Sequence, residues 1–312
     1  MQNKYPRRDF IKKTAQTLLG FKGLNISSKY FIRWVQASPL NNLSPSVISV
    51  AKKGPPGKLV RDAINALGGI KKFINQGEEV VLKPNISWDR TPELAANTNP
   101  MVLREVILLC LEANAKKIKI IDRPCNDPER SYVSSGAFKV VEEINDSKVE
   151  LLQMDPRKFK IINIPGATHL KKWHFYEDFL NADKIISIPI AKHHSSTEIT
   201  MSFKNTMGMV GGQRSLLHEN IHHNLVDLNR VLIPSLIILD AIRIITRNGP
   251  QGGDIKDTKI TNTVIAGTDR VSIDAYGATL FNKKGTDLDY LRYAYEAGMG
   301  EIDLGKVEIR KL

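Results

Sequence analysis

The sequence predicts an α/β fold in which a largely parallel sheet is covered by helices, with two lobes that share or flank one core. Three observations support this prediction. From residue 46 onward, short runs rich in β-branched residues alternate with helical patterns. The 312 residues suffice to bury one large domain or two lobes. No Pro/Gly/Ser-rich linker separates the halves, which favours lobes on one sheet over independent domains.

The first lobe covers about residues 46–155 and repeats a strand and a helix. Its predicted strands are short apolar runs bounded by polar or turn residues, at 47–51, 79–82, 117–121 and 149–153. Its predicted helices show apolar residues at helical spacing, at 59–67, 101–113 and 137–144. A Pro-Gly turn then lies within residues 157–175, which we interpret as a hairpin-like insertion.

The second lobe covers about residues 176–300 and continues the pattern. Its predicted strands are the apolar runs at 184–189, 236–240 and 262–266. Its predicted helices are at 176–181, 200–209, 218–231, 270–280 and 290–296. We therefore treat residues 46–300 as a single α/β domain.

The amino-terminal 37 residues resemble a twin-arginine export signal, in the run Pro6-Arg7-Arg8-Asp9-Phe10-Ile11-Lys12. An apolar run follows at 14–24, which is shorter than the ~20 residues that span a bilayer, so no stable membrane span is expected. Residues 35–37 suit a cleavage site. The prediction is a periplasmic or otherwise exported protein whose partner is the twin-arginine machinery; a basic amphipathic helix that stays attached is the alternative.

The same segment accounts for much of the positive charge. It holds eight Lys or Arg and one acid, Asp9, so it supplies more than half of the net charge of +12. The remainder contains no basic block and no basic strand interleaved with aromatic residues. Nucleic acid is therefore not an expected partner.

The two cysteines exclude common cofactor motifs. No C-x-x-C pair exists, so neither an iron–sulfur cluster nor a structural zinc ribbon is expected. Cys110 lies in a helical apolar pattern and is predicted to pack in the core, whereas Cys125 lies in a loop; a disulfide between them stays open. The chain also lacks G-x-G-x-x-G after a strand and G-x-S-x-G, which removes common nucleotide-binding and serine-hydrolase hypotheses.

Polar residues follow several predicted strands, where α/β proteins place their ligand sites. Lys83 and Asn85 end one buried run, and Thr98 precedes a helix whose free N–H groups would attract an anion. A strand-end lysine and a plain helix cap would explain the same residues. Asp122 and Asp240 each end an apolar run and are candidates for a metal ligand or a proton-transfer group.

The segment 189–223 carries five of the seven histidines. Lys192 and Lys204 would hold an anion, and Asn205 would orient it. Of the adjacent histidines, His194 is the candidate for catalysis or metal binding. His218 and His222 are four residues apart, so on one helix they would share a face and could bind a metal together. Histidines on a solvated helix are the alternative.

These clusters, in this order, resemble those of domain-of-unknown-function family 362, over about residues 46–300. The motifs that carry the resemblance are Leu82-Lys83-Pro84-Asn85, Asn97-Thr98-Asn99-Pro100, Glu112 to Lys116 with Asp122, Ser134-Ser135-Gly136, Ile190 to His194, Lys204-Asn205-Thr206-Met207-Gly208, and Asp240 with Gly249-Pro250 and Gly253. Many members carry a ferredoxin-like C-x-x-C-x-x-C module, which this chain lacks. The resemblance implies an α/β fold and a site map, with His194 as the equivalent of the family histidine, but no reaction.

The sequence thus predicts an exported protein that binds a small carboxylate or phosphate ligand. A divalent metal is the expected cofactor if the protein is a metal-assisted enzyme, which the sequence does not decide. The alternative is a non-catalytic periplasmic binding or maturation-accessory protein that uses the same pocket.

Overall fold

The computed structural model describes residues 45–312, so the predicted leader at 1–37 lies outside the described residues. The twelve strands of this region are β1 (Val47–Lys52), β2 (Glu79–Pro84), β3 (Lys117–Ile121), β4 (Val149–Leu152), β5 (Phe159–Asn163), β6 (Lys172–Tyr176), β7 (Lys184–Ile188), β8 (Ile190–His194), β9 (Glu198–Thr200), β10 (Leu236–Ile245), β11 (Thr258–Gly267) and β12 (Glu308–Lys311). Its helices are α1 (Pro56–Ala66), α2 (Pro100–Glu112), α3 (Pro128–Ser134), α4 (Ala137–Ile144), α5 (Glu177–Asn181), α6 (Ser202–Asn205), α7 (Ile221–Leu228), α8 (Arg270–Thr279) and α9 (Asp289–Glu296).

One central sheet has the strand order β12-β1-β11-β10-β7-β2-β3-β4, and β8 extends it by pairing with β10 and with β9. Most neighbours are parallel, including the run β10-β7-β2-β3-β4. The pairs of β11 with β1 and β10, and of β8 with β9, are antiparallel. The predicted α/β fold with a largely parallel sheet is confirmed. β5 and β6 form a separate antiparallel pair within the segment of the predicted insertion.

Alternating residues of the strands are buried on opposite faces of the sheet. On one face, Val80 and Leu82 of β2 belong to the apolar core that α1, α2 and α4 complete. Val81, on the other face, is equally buried. Because side chains alternate along a strand, Lys83 lies on the Val81 face, away from α2. Both faces are therefore covered, as in other parallel sheets. No helix of residues 45–312 is long and apolar enough to cross a membrane.

Two predicted helices of the second lobe differ from the structure. In the segment predicted as one helix at 200–209, Thr200 ends β9, and the helical part consists of the short α6 followed by a 3₁₀ turn at Thr206–Met209. The hairpin of β8 and β9 that precedes it was not predicted. The helix predicted at 218–231 is wrong at its start: His218 ends a 3₁₀ turn, and α7 begins at Ile221 after the non-helical Asn220 (φ −140°, ψ 54°). His218 and His222 therefore do not share one helical face.

Candidate functional site

A buried ion pair joins the ends of β2 and β3. Lys83 Nζ lies 2.9 Å from Asp122 Oδ1, and each side chain is only 1% exposed. Asp122 also accepts hydrogen bonds from the backbone N–H groups of Arg123 (2.7 Å) and Ile86 (2.5 Å). The burial lowers the pKa of Lys83, and the Asp122 charge opposes that effect. Lys83 and Asp122 thus satisfy each other, and Asp122 is held by three donors.

Asn205 ties this ion pair to α6 and β7. Its Oδ1 accepts from Lys83 Nζ (3.0 Å) and from Asn85 Nδ2 (3.2 Å). Its Nδ2 donates to the Lys83 carbonyl and to Ser187 Oγ, both at 3.0 Å. A single amide therefore connects α6 with β2 and β7, and it uses both its acceptor and its donor side.

Gly208 is required by the close packing above the ion pair. A Cβ atom added there would lie 2.6 Å from Lys83 Nζ and would also collide with Asp122 Oδ1. The Gly208 carbonyl accepts from Arg123 N–H at 3.1 Å, which holds the backbone in this position. The glycine of the Lys204–Gly208 motif therefore leaves room for a charged pair.

Lys192 is fully buried and has only neutral hydrogen-bond acceptors. Its Nζ donates to Asn85 Oδ1 at 2.9 Å and to the Ala96 carbonyl at 2.5 Å. No carboxylate of residues 45–312 forms an ion pair with it. Burial, opposed by Cys125 and Asp122 and reinforced by the charges of Lys204 and Lys83, lowers the pKa of Lys192 to about 7.

Lys204 is even less well paired. It is 7% exposed, and its Nζ lies 3.2 Å from Met207 Sδ and 3.5 Å from His218 Nε2, both weak acceptors at these distances. Within the described part of the chain it has no acidic partner. Burial lowers the pKa of Lys204 to about 8, an effect that Cys125 opposes and Arg214 reinforces. A buried ammonium without a counter-ion is costly unless another anion compensates it.

Two imidazoles line the same region. The rings of His194 and His218 are nearly parallel, with centroids 6.2 Å apart. Burial, with the charges of Lys204 and Lys192, holds the pKa of His194 far below its usual value, so its ring is neutral. Its Nδ1 accepts from the Ser196 N–H at 3.1 Å, which leaves Nε2 as the protonated nitrogen. His194 can therefore donate a hydrogen bond but does not add positive charge.

Other predicted site residues lie at its edge or outside it. Thr98 Oγ1 donates to the Ile188 carbonyl (2.6 Å) and accepts from Asn85 N–H (2.8 Å), so it supports the loop that carries Asn85. Asp240 accepts from Asn99 N–H (2.7 Å) at the start of α2 and from Ile242 N–H (2.9 Å). Burial raises the pKa of Asp240 to about 6. Because Asp240 shares the α2 face of its strand with Leu236 and Ile238, it lies on the opposite face of the sheet from Lys83.

The three predicted metal ligands are not assembled into one centre. Between residues 45 and 312 there is no group of three or more His, Cys, Asp or Glu side chains placed to hold a metal ion. His222 lies in α7, and its buried Nδ1 has no hydrogen-bond partner within this range. The binding of a divalent metal stays a prediction.

Two further residues that the sequence analysis did not predict, Asp274 and Arg214, shape the site. Asp274 of α8 accepts from Ser202 N–H (2.9 Å) and Phe203 N–H (3.1 Å), which fixes the first turn of α6 and so the positions of Lys204 and Asn205. The signal in the sequence is an acid in an otherwise apolar helical run. Burial raises the pKa of Asp274 to about 7, although these backbone donors and Arg270 oppose the shift.

Arg214 forms part of the rim. Its guanidinium donates to the carbonyls of Arg123 (2.7 Å) and Pro124 (2.8 Å), and Nη2 lies 3.7 Å from Cys125 Sγ. Cys110 and Cys125 are both free; Cys110 is buried and Cys125 is exposed. The site is thus a cationic region that is closed at its base by a satisfied ion pair and bordered by an arginine.

These features define a class of α/β proteins with a buried lysine site at the carboxyl end of a mostly parallel sheet. Residues 80–279, more than half of the chain, match the model of the family described as Domain of unknown function (DUF362). The protein belongs to this family.

Individual proteins resemble this chain only at low sequence identity. Over 206 residues the chain is 26% identical to the Thylakoid-associated protein sll1697 of Synechocystis sp., a match that covers 64% of this chain and 62% of that protein. The lactate racemase apoprotein of Thermoanaerobacterium thermosaccharolyticum has a TM-score of 0.45 and 14% identity, over 74% of this chain and 56% of the other. A protein of Thermotoga maritima has a TM-score of 0.43 and 10% sequence identity, and the match covers 78% of this chain and 60% of the other. Similarity at this level carries no information about ligand or reaction.

We predict that Gly208→Ala destabilises the protein by about 3 kcal/mol or more, because the added methyl group separates Lys83 from Asp122 inside the core. Urea denaturation of the purified protein measures this change. Gly253→Ala is the matched control, since a Cβ atom at Gly253 meets nothing within 4 Å. Equal stabilities of the two variants would contradict the role given to Gly208.

Proposed function

We propose that the protein binds a small carboxylate or phosphate anion at the site formed by Lys192 and Lys204. The observation that carries the proposal is the charge balance of the buried lysines. Lys83 has Asp122 as its counter-ion, whereas Lys192 and Lys204 have no acidic partner among residues 45–312. An anion that binds between them would supply the missing negative charge, and desolvation of the site would strengthen the attraction.

The neutral groups around the lysines fit a polar ligand. Asn85 is held by Lys192 and Asn205, so its amide is oriented before a ligand arrives. His194 and His218 offer ring nitrogens beside Lys204. Such fixed hydrogen-bonding groups around a charge favour one orientation of the ligand.

Whether the bound anion reacts is a separate proposal. A neutral imidazole such as that of His194 can exchange a proton with a ligand, which is the first requirement of an acid–base enzyme. Asp122 is engaged with its three donors, and both carboxylate oxygens of Asp240 accept backbone N–H groups, from Asn99 and Ile242, so neither acid is paired with His194 for a second proton-transfer role. A non-catalytic binding or accessory protein remains the second candidate, favoured by this lack of a paired acid and base.

Metal assistance and export are further parts of the hypothesis. A divalent metal would need ligands from the bound anion in addition to His194 or His218, and elemental analysis of the folded protein tests for it. Export rests on the twin-arginine pattern at residues 7–12, which lies outside the described residues.

We expect anion affinity to fall by at least about tenfold between pH 7 and pH 9, because Lys192 and Lys204 lose their charge in this range and tenfold corresponds to one pKa unit. Their lowered pKa values, about 7 and about 8, place the loss there rather than near 10.5. Isothermal titration calorimetry with acetate and inorganic phosphate over this pH range measures the change.

The variant Lys204→Met tests the same site by removal of one charge. It should abolish the pH-dependent binding, whereas Lys139→Met, which removes an exposed lysine, should leave it intact. Binding that is unchanged in Lys204→Met, or an absence of binding in the wild-type protein to every small anion tried, would exclude the proposed function.

A further inference from the structure

Thr200 carries a buried hydroxyl group that has no hydrogen-bond partner. The residue is 4% exposed, and its Oγ1 is among the few buried polar atoms of residues 45–312 that are unsatisfied. Buried hydroxyl groups are normally hydrogen-bonded, because the lost contact with water is otherwise uncompensated. A buried donor without a partner therefore needs an explanation.

The position of Thr200 points to the lysine site. β8 and β9 are antiparallel, and Thr200 is the direct partner of Lys192 in their register. Directly opposed residues of an antiparallel pair project from the same face of the sheet. The Thr200 side chain is thus on the face from which Lys192 extends toward Asn85 and Ala96.

Counting hydrogen atoms shows what this corner of the site can donate. The Lys192 ammonium has three N–H groups, of which one goes to Asn85 Oδ1 and one to the Ala96 carbonyl. The third N–H has no acceptor among the hydrogen bonds of the described residues. Together with the Thr200 O–H, which lies on the same face of the hairpin, it makes two donors without a protein acceptor in the described residues.

We propose that Thr200 is a ligand-binding residue, and that its hydroxyl and the third N–H of Lys192 bind the two oxygens of a carboxylate group. The inference rests on the proposed anion site and narrows its ligand. Two donors match the two oxygens of a carboxylate, with Lys204 as additional charge. A phosphate has more oxygens than these two donors match, and any oxygen left without a donor in the buried corner is costly to bury.

The test uses Thr200→Val, which keeps the shape and removes the hydroxyl group, and Thr200→Ser, which keeps the hydroxyl group. For the full-length protein with acetate as probe, Thr200→Val should weaken binding about tenfold or more, since a hydrogen bond to a charged group is lost. Thr200→Ser should bind within about threefold of wild type. Without ligand, Thr200→Val should melt at a higher temperature than wild type, because it removes an unsatisfied buried donor.

A ligand-binding role predicts that Thr200→Val raises the melting temperature but weakens acetate binding, whereas a purely structural role does not predict these opposite effects. Acetate binding that Thr200→Val leaves unchanged, while Lys204→Met abolishes it, would overturn this inference alone. A lower melting temperature of Thr200→Val, with equal losses for acetate and inorganic phosphate, would overturn it in favour of a packing role. Tighter binding of inorganic phosphate than of acetate would overturn the carboxylate assignment. Wild-type protein that binds neither anion would overturn the proposed function and this inference with it.

Discussion

The Lys83–Asp122 ion pair is the interaction on which the rest of the site depends. It lies in the core where β2 and β3 end, and Asn205 and Gly208 both pack against it. Removal of one partner from such a pair is costly, because an uncompensated charge stays buried. The pair therefore fixes the relative positions of the first strands and of α6, the helix that carries Lys204. Asp274 holds the start of the same helix by accepting from two of its backbone N–H groups. Two buried carboxylates thus fix the short α6. Asp122 acts through Lys83 and Asn205, and Asp274 acts directly on the helix backbone.

The same pair determines how charge is distributed over the three buried lysines. Asp122 forms its ion pair with Lys83. Neither Lys192 nor Lys204 therefore has an acidic partner in the described residues. Their burial then favours the neutral amine, while an anionic ligand would favour the ammonium. Ligand binding and proton uptake are coupled in such a site, because each stabilises the other. His194 is neutral first because it is buried, and the charges of both lysines lower its pKa further in the same direction.

The sequence predicts the strands and the ends at which polar residues collect, because apolar runs and their boundaries are local features. In the structure, Lys83, Asn85, Lys192 and Asn205 form one hydrogen-bonded group, because parallel neighbours such as β2 and β7 end at one edge of the sheet. The face on which a strand-end residue lies is harder to predict, and Asp240 is the example: it ends a buried run but lies on the α2 face, because side chains alternate along β10. The hairpin of β8 and β9 is not predicted, because its polar residues show no clear alternation. The position of Thr200 opposite Lys192 is therefore not predicted either. Contacts between distant segments, such as that of Asp274 with Ser202, have no local sequence signal beyond an acid in an apolar helix.

The central claim is that two buried lysines share a site without a protein counter-ion. Nuclear magnetic resonance titration of isotope-labelled lysine side chains tests it directly, with Lys192→Met and Lys204→Met used for assignment. We expect two lysines that titrate at about pH 7 and pH 8 in the ligand-free protein, each signal absent from its own variant, and both shifted to higher pH by a bound anion. Titration of both lysines near 10.5, with no response to added anion, would contradict it.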